Sequence, residues 1–143
     1  MIAQEEDRMV IWDAVAREAG KGRVEGKQVL IFGCTPYARD IREALQEQGI
    51  PLAAMLDNNP QKAGGTCLGV QVYLPERYFE GHSGDVLVIL CSRYNREMAA
   101  QLEELGCGSE SRMDIPVKES RRGEEDSLEN LQAKFREVEE GYR

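Results

Sequence analysis

A chain of 143 residues is long enough to bury one real core and too short for several. Its hydrophobic fraction of 41% against 31% charged excludes a disordered class, and the longest apolar run, residues 86–91, falls far below the roughly 20 residues needed to cross a bilayer. The formal net charge of -8 repels phosphate backbones and anionic lipid, so neither nucleic acid nor a membrane is an expected partner.

The first residues lack the basic-then-apolar pattern of a secretory signal, which points to the cytoplasm. Cys34, Cys67, Cys91 and Cys107 show no C-x-x-C spacing, and His82 alone could join them, so reduced thiols rather than a metal site are expected.

Over residues 5–19, Met9, Trp12, Val15, Ala16 and Ala19 recur at helical steps and predict an amphipathic helix. The acidic residues 5–7 are read as its solvated start, favoured by the helix dipole. The glycine-rich, charged residues 20–27 form a linker or turn. Gln28-Val29-Leu30-Ile31-Phe32 is then a continuous apolar run stopped by Gly33, which suits a strand buried on both faces of a parallel sheet. Thr35-Pro36 opens the next helix: the threonine hydroxyl can cap free amides, and proline occupies the first turn where no N–H is missed. Ala38, Ile41, Ala44 and Leu45 turn that helix inward until Gly49.

Residues 51–56 form a second strand ending in the turn cluster Asp57-Asn58-Asn59-Pro60. Residues 64–72 are punctuated by glycine and hold at most a short, irregular strand. Residues 75–79 read as a helical turn and 81–84 as a loop. The run 85–90 is the strongest strand signal and belongs in the sheet centre, followed by a helix carrying Tyr94, Met98, Leu102 and Leu105 up to Gly106. An edge strand is expected over 113–117. A charged amphipathic helix over 124–140, capped by Asp126 or Ser127, presents Leu128, Leu131, Phe135 and Val138 to a partner surface, in the same chain or in another. Alternating buried strands and helices imply an α/β, doubly wound parallel sheet with N- and C-terminal amphipathic helices.

Ligands of such sheets bind beyond the carboxyl ends of the strands. The candidate binding residues are therefore Gly33, Cys34, Thr35, Pro36, Tyr37, Ala38 and Arg39 after the first strand, Asp57 and Asn58 after the second, and Cys91, Ser92 and Arg93 after the central one. Gly33 permits a tight turn, and the helix opening at Pro36 offers amides and its positive end to a phosphate. Thr35 and Arg39 add a hydroxyl and a cation. Asp57 stands where dinucleotide-binding proteins place the acid that accepts from a ribose, although it is also good turn chemistry. Against G-x-G-x-x-G, Thr35 and Ala38 occupy the second and third glycine positions. Cys34 lies beside a helix start that would lower its pKa. No histidine falls at a strand end to act as base, so no catalytic constellation is visible.

Val29-Leu30-Ile31-Phe32-Gly33, then Asp57-Asn58-Asn59-Pro60-Gln61-Lys62-Ala63-Gly64, Gly69-Val70-Gln71-Val72, Pro75-Glu76 and Asp85-Val86-Leu87-Val88-Ile89 together carry a resemblance. They resemble the Rossmann-like nucleotide-binding domain at the front of bacterial sugar acetyltransferases and nucleotide-sugar dehydratases. The resemblance implies that Gly33, Thr35 and the amides up to Ala38 contact a diphosphate, and Asp57 the ribose or the loop. The resemblance covers about residues 28–106, and the chain as a whole is read as an N-terminal helix and linker (1–26), a Rossmann-like domain (27–117) and a linker with a C-terminal charged helix (118–143). The hexapeptide repeats of the transferases and the Tyr-x-x-x-Lys pair of the dehydratases are missing.

The resulting expectation is a non-catalytic module that binds a nucleotide sugar or a dinucleotide such as NAD, in surface-polysaccharide metabolism. Its C-terminal helix would contact a second copy or a partner enzyme. Two alternatives stand beside it: an NAD-dependent nucleotide-sugar oxidoreductase or fragment completed by a partner, with Cys34 and Asp57 active, and a degenerate Rossmann-like domain kept for assembly.

Overall fold

The computed structural model describes residues 2–81 and 85–116, with side chains from residue 7 onward. The C-terminal helix expected over 124–140, His82 and Val117 lie outside the described residues.

Two strands dominate the sheet because their sequences leave no polar face. In β1 (Gln28–Phe32) every residue after the first is buried, and in β5 (Val86–Leu90) all five are. They pair in parallel, Leu30 opposite Val88 and Phe32 opposite Leu90. On its other side β1 pairs in parallel with β2 (Leu52–Leu56), Ile31 opposite Met55. Beyond β2 lies β4 (Val70–Tyr73), also parallel, and beyond β5 lies β6 (Arg112–Asp114), parallel again. The outermost strand, β3 (Thr66–Cys67), runs antiparallel to β4. The order is β3-β4-β2-β1-β5-β6. The chain winds away from β1 toward β2 and β4, then returns to β5 on the opposite side, which is the doubly wound architecture.

Strand alternation divides the core in two. Val29, Ile31, Met55, Val72, Leu87 and Ile89 face one side, under Ile11 and Val15 of α1 (Ile2–Gly20) and Ala38, Ile41, Ala44 and Leu45 of α2 (Pro36–Glu47). Leu30, Phe32, Leu56, Val88 and Leu90 face the other, under Tyr78 of α3 (Pro75–Gly81) and Ala99 and Leu102 of α4 (Asn95–Glu104). Truncating a fully enclosed member such as Ile41 to alanine costs about 2–5 kcal/mol in cores of this kind.

The buried face of α1 differs from the expected one. Asp7, Ile11 and Val15, four residues apart, turn inward against α2 and the sheet, whereas Met9 is 67% exposed and Ala16 is exposed. Trp12 sits half-buried at the margin, with the Arg8 guanidinium 5.5 Å over its ring. Packing against α2 selects the row spaced by four and leaves the methionine outside it. Asp7, expected in solvent, is only 3% exposed. The linker over 20–27 is a run of turns held down by Arg23, which donates to the Glu110 and Arg112 carbonyls at 3.1 and 3.2 Å.

Residues 64–73 hold two strands, where one short irregular strand was expected. Thr66 pairs with Gln71 and Cys67 with Val70, leaving Leu68 and Gly69 as a two-residue turn. Both have positive φ, 54° and 81°, as a type I′ hairpin turn requires. Arg42 of α2 donates to the Leu68 carbonyl at 2.6 Å and pins the turn beside the sheet. At the other edge, where a strand was expected over 113–117, β6 starts one residue earlier and ends at Asp114.

Candidate functional site

The turn after β1 is built on Gly33, whose φ of 107° a side chain would strain. Its N–H donates to the Leu56 carbonyl at 2.7 Å, so the turn begins as a continuation of the β1–β2 ladder. Thr35 occupies the N-cap position of α2 in extended conformation, but its hydroxyl makes no cap hydrogen bond. Its carbonyl instead accepts the Ala38 N–H at 3.0 Å, and its methyl lies 3.5 Å from where a Gly33 Cβ would stand. The capping role expected of the hydroxyl is thus not taken up.

The amides of this turn are largely committed. Gly33 donates to Leu56, Cys34 donates to Asp57 Oδ2 at 3.0 Å, Pro36 has no N–H, and Ala38 donates to Thr35. An amide cradle for a diphosphate, as expected for residues 33–38, is therefore not offered at those four positions. Asp57 is the cause at Cys34. Its second oxygen accepts the Asn59 N–H at 2.8 Å, an Asx turn that closes the loop after β2. The carboxylate expected to accept from a ribose already accepts one backbone N–H on each oxygen.

Beside this turn lies a cleft of 360 Å³ lined by Cys34, Thr35, Pro36 and Arg39 on one side and Cys67 and Leu68 on the other. It runs between the start of α2 and the β3–β4 hairpin, on the β2 side of the sheet. The volume is within the range of small-molecule sites. Arg39 is exposed, and Lys62 is near enough for its charge to act on Cys34. Burial first, then the neighbouring Cys67 thiol and the Asp57 charge, push the Cys34 thiol up to about 12, against a partial offset from Lys62. The lowering expected from the helix start is outweighed, because Cys34 is half-buried against an apolar wall and an acid.

The remaining candidates lie elsewhere. Ala38 is buried in the core under α2. Tyr37 donates through its hydroxyl to Asp7 Oδ2 at 3.3 Å, joining α2 to α1. Asn58 exchanges two hydrogen bonds with Gln101 of α4, at 2.9 and 2.8 Å, and so ties the end of β2 to a helix on the opposite face. Cys91 and Ser92, after β5, are 2% and 6% exposed. Ser92 serves its own loop, donating its N–H to Asn95 Oδ1 at 2.8 Å and accepting the Tyr94 N–H at 3.0 Å. Arg93 is half-buried and does not line the cleft.

The switch point between β1 and β5 is thus enclosed at Cys91 and Ser92. Burial pushes the Cys91 thiol up, and the nearby Asp7 and Asp40 carboxylates push it further. Asp40 is itself raised, by burial first and then by Glu43. Arg39 and Lys62 stand at the open half of the crevice, beside Cys34. Of the residues read from the sequence, Cys34, Thr35, Pro36 and Arg39 line this cleft, whereas its far wall, Cys67 and Leu68, was not among them. Cys67 and Leu68 belong to a hairpin whose return across the β2–β4 edge leaves no periodic trace, and Asp7 belongs to a helix read in the wrong phase.

No family model matches the chain, and no curated protein matches it. Among solved structures, it is similar to UDP-D-quinovosamine 4-dehydrogenase from Vibrio fischeri, with 22% identity, a TM-score of 0.49, and 71% of this chain and 87% of that chain covered. It is also similar to RSP, a Rex-family repressor, with 17% identity, a TM-score of 0.49, and 85% of this chain and 65% of that chain covered. No helix among the described residues is long and apolar enough to cross a membrane. The parallel order β4-β2-β1-β5-β6, with the winding reversed between β1 and β5, makes the fold of this chain Rossmann-like.

Proposed function

We propose that the chain is a non-catalytic binding module for a nucleotide-type ligand, held in the cleft between the β1–α2 turn and the β3–β4 hairpin. The observation that carries this reading is the cleft itself. It joins an apolar wall, Pro36, Leu68 and the two thiols, to a cation at its rim, Arg39. A nucleobase is flat and apolar on its faces and suits the wall; a phosphate suits Arg39, with Lys62 nearby. Because the loop amides are largely spent, side chains rather than backbone hold the anion. The enclosed switch point favours a ligand that needs one end of the crevice, such as a nucleoside diphosphate or the nucleotide end of a nucleotide sugar, over an extended dinucleotide such as NAD. The non-catalytic part rests on Cys34, whose thiol keeps its proton far above neutral pH.

The test is a thermal-unfolding series of the full chain with ADP, UDP-glucose and NAD. A probe at a hundredfold excess over its Kd adds about 2.7 kcal/mol. ADP or UDP-glucose should stabilise the protein more than NAD, and Arg39→Ala should remove most of the effect. Stabilisation by none of the three sinks the proposal.

A further inference from the structure

Four free cysteines are present, and they fall into two classes. Cys91 and Cys107 are 2% and 3% exposed, one at the end of β5 and the other just after α4. Cys34 and Cys67 are half-buried and line the same cleft, through which a small reagent reaches both. The two thiols are near enough to act on each other, although the residues are far apart in sequence and sit on different elements, the β1–α2 turn and the outermost strand. That strand is short, paired to β4 through Thr66 with Gln71 and Cys67 with Val70, and it sets the Cys67 thiol on the wall of the cleft that faces Cys34.

We infer that Cys34 and Cys67 form a reversible disulfide across the cleft, made by a hydroperoxide and opened by a dithiol reductant, and that only the reduced form admits the ligand. The second half rests on the nucleotide-binding reading above. In the first step the Cys67 sulfur attacks a peroxide oxygen, the O–O bond breaks, Cys67 becomes a sulfenic acid, and the leaving hydroxide takes up the Cys67 thiol proton as the first water. In the second, the Cys34 sulfur attacks the sulfenic sulfur, the S–O bond breaks, and the Cys34 proton leaves with the hydroxyl as water. Two thiols are oxidised, and one hydrogen peroxide is reduced to two waters. A disulfide there ties the hairpin to the phosphate-facing turn and fills the space between the two walls.

The experiment treats the full chain with hydrogen peroxide, blocks remaining thiols, and maps the peptides by mass. The expected product is a linked pair of the peptides bearing Cys34 and Cys67, lost on treatment with dithiothreitol and absent from Cys34→Ser and Cys67→Ser. Cys107→Ser should still form it. Oxidation that stops at a sulfinic acid on one cysteine, or that links any other pair, overturns the disulfide. Calorimetry with ADP and UDP-glucose on reduced and oxidised protein then reads the gate: at least tenfold weaker binding after oxidation is expected, and equal binding overturns it. If the reduced protein binds neither probe, the gate falls with the nucleotide reading, and the linkage, read without ligand, is decided on its own.

Discussion

Asp57 accepts the Cys34 backbone N–H at 3.0 Å through one carboxylate oxygen and the Asn59 N–H at 2.8 Å through the other, locking the ends of β1 and β2 together. Replacing it by alanine orphans two amides in a half-buried loop. An unsatisfied buried donor costs about 1–3 kcal/mol, so Asp57→Ala should lower unfolding stability by at least that much. Asp57→Asn keeps one acceptor oxygen and should cost less. Urea unfolding of the two variants checks the order, and equal losses would remove the clamp from the account.

Tyr37 and Asp7 make the corresponding join between α2 and α1. A hydrogen bond to a charged group contributes about 1.5–3 kcal/mol, and Tyr37→Phe removes this one while keeping the ring. The variant should unfold at lower urea with an unchanged m-value. A loss below about 0.5 kcal/mol would show that the buried carboxylate is satisfied by its other neighbours.

Leu68 sets two effects against each other. Its φ of 54° costs a leucine about 1–2 kcal/mol relative to a residue at home in that region, and asparagine relieves much of the cost. The half-buried side chain packs on the core, and its loss takes back a similar amount. Leu68→Asn should therefore stay within about 1 kcal/mol of the parent in stability. If Leu68 is the apolar wall of the ligand cleft, the same change should weaken ADP binding about tenfold, roughly 1.4 kcal/mol. Unchanged affinity would move the ligand off this wall.

The raised thiols predict an alkaline weakness. A thiol whose folded pKa stands above its unfolded value favours folding fully below the unfolded pKa and loses that support as pH rises toward the folded one. For Cys34 the window runs from 9.0 to about 12, and burial shifts Cys91 and Cys107 in the same direction. Stability should be flat in this respect at neutral pH and fall above pH 9. Cys34→Ser should shallow the fall, as denaturation at stepped alkaline pH would show; an unaltered slope would mean that Cys34 is not desolvated.

The sheet was readable because its two central strands have no polar face: Val29 to Phe32 and Val86 to Leu90 are apolar at every position, as burial under helices on both sides demands. The inward row of α2, Ala38, Ile41, Ala44 and Leu45, was readable for the same reason, one apolar stripe of helical period. The hairpin was not. A two-residue strand has too few positions to show alternation, and nothing local announces a leucine at positive φ. The role of Asp57 was half visible, since a carboxylate that accepts from a ribose and one that accepts from amides need the same residue at the same place. Asp7 was misread because burial of an acid depends on the distant partner Tyr37, which helical periodicity does not reveal.

The sheet also ends abruptly on both sides. β3 has two residues and turns antiparallel, and β6 has three. Neither edge presents the long row of unpaired peptide groups on which an incoming strand can template itself. Among the described residues, strand addition is therefore disfavoured at both margins, which leaves helical faces and loops as the broader surfaces on which a partner can seat.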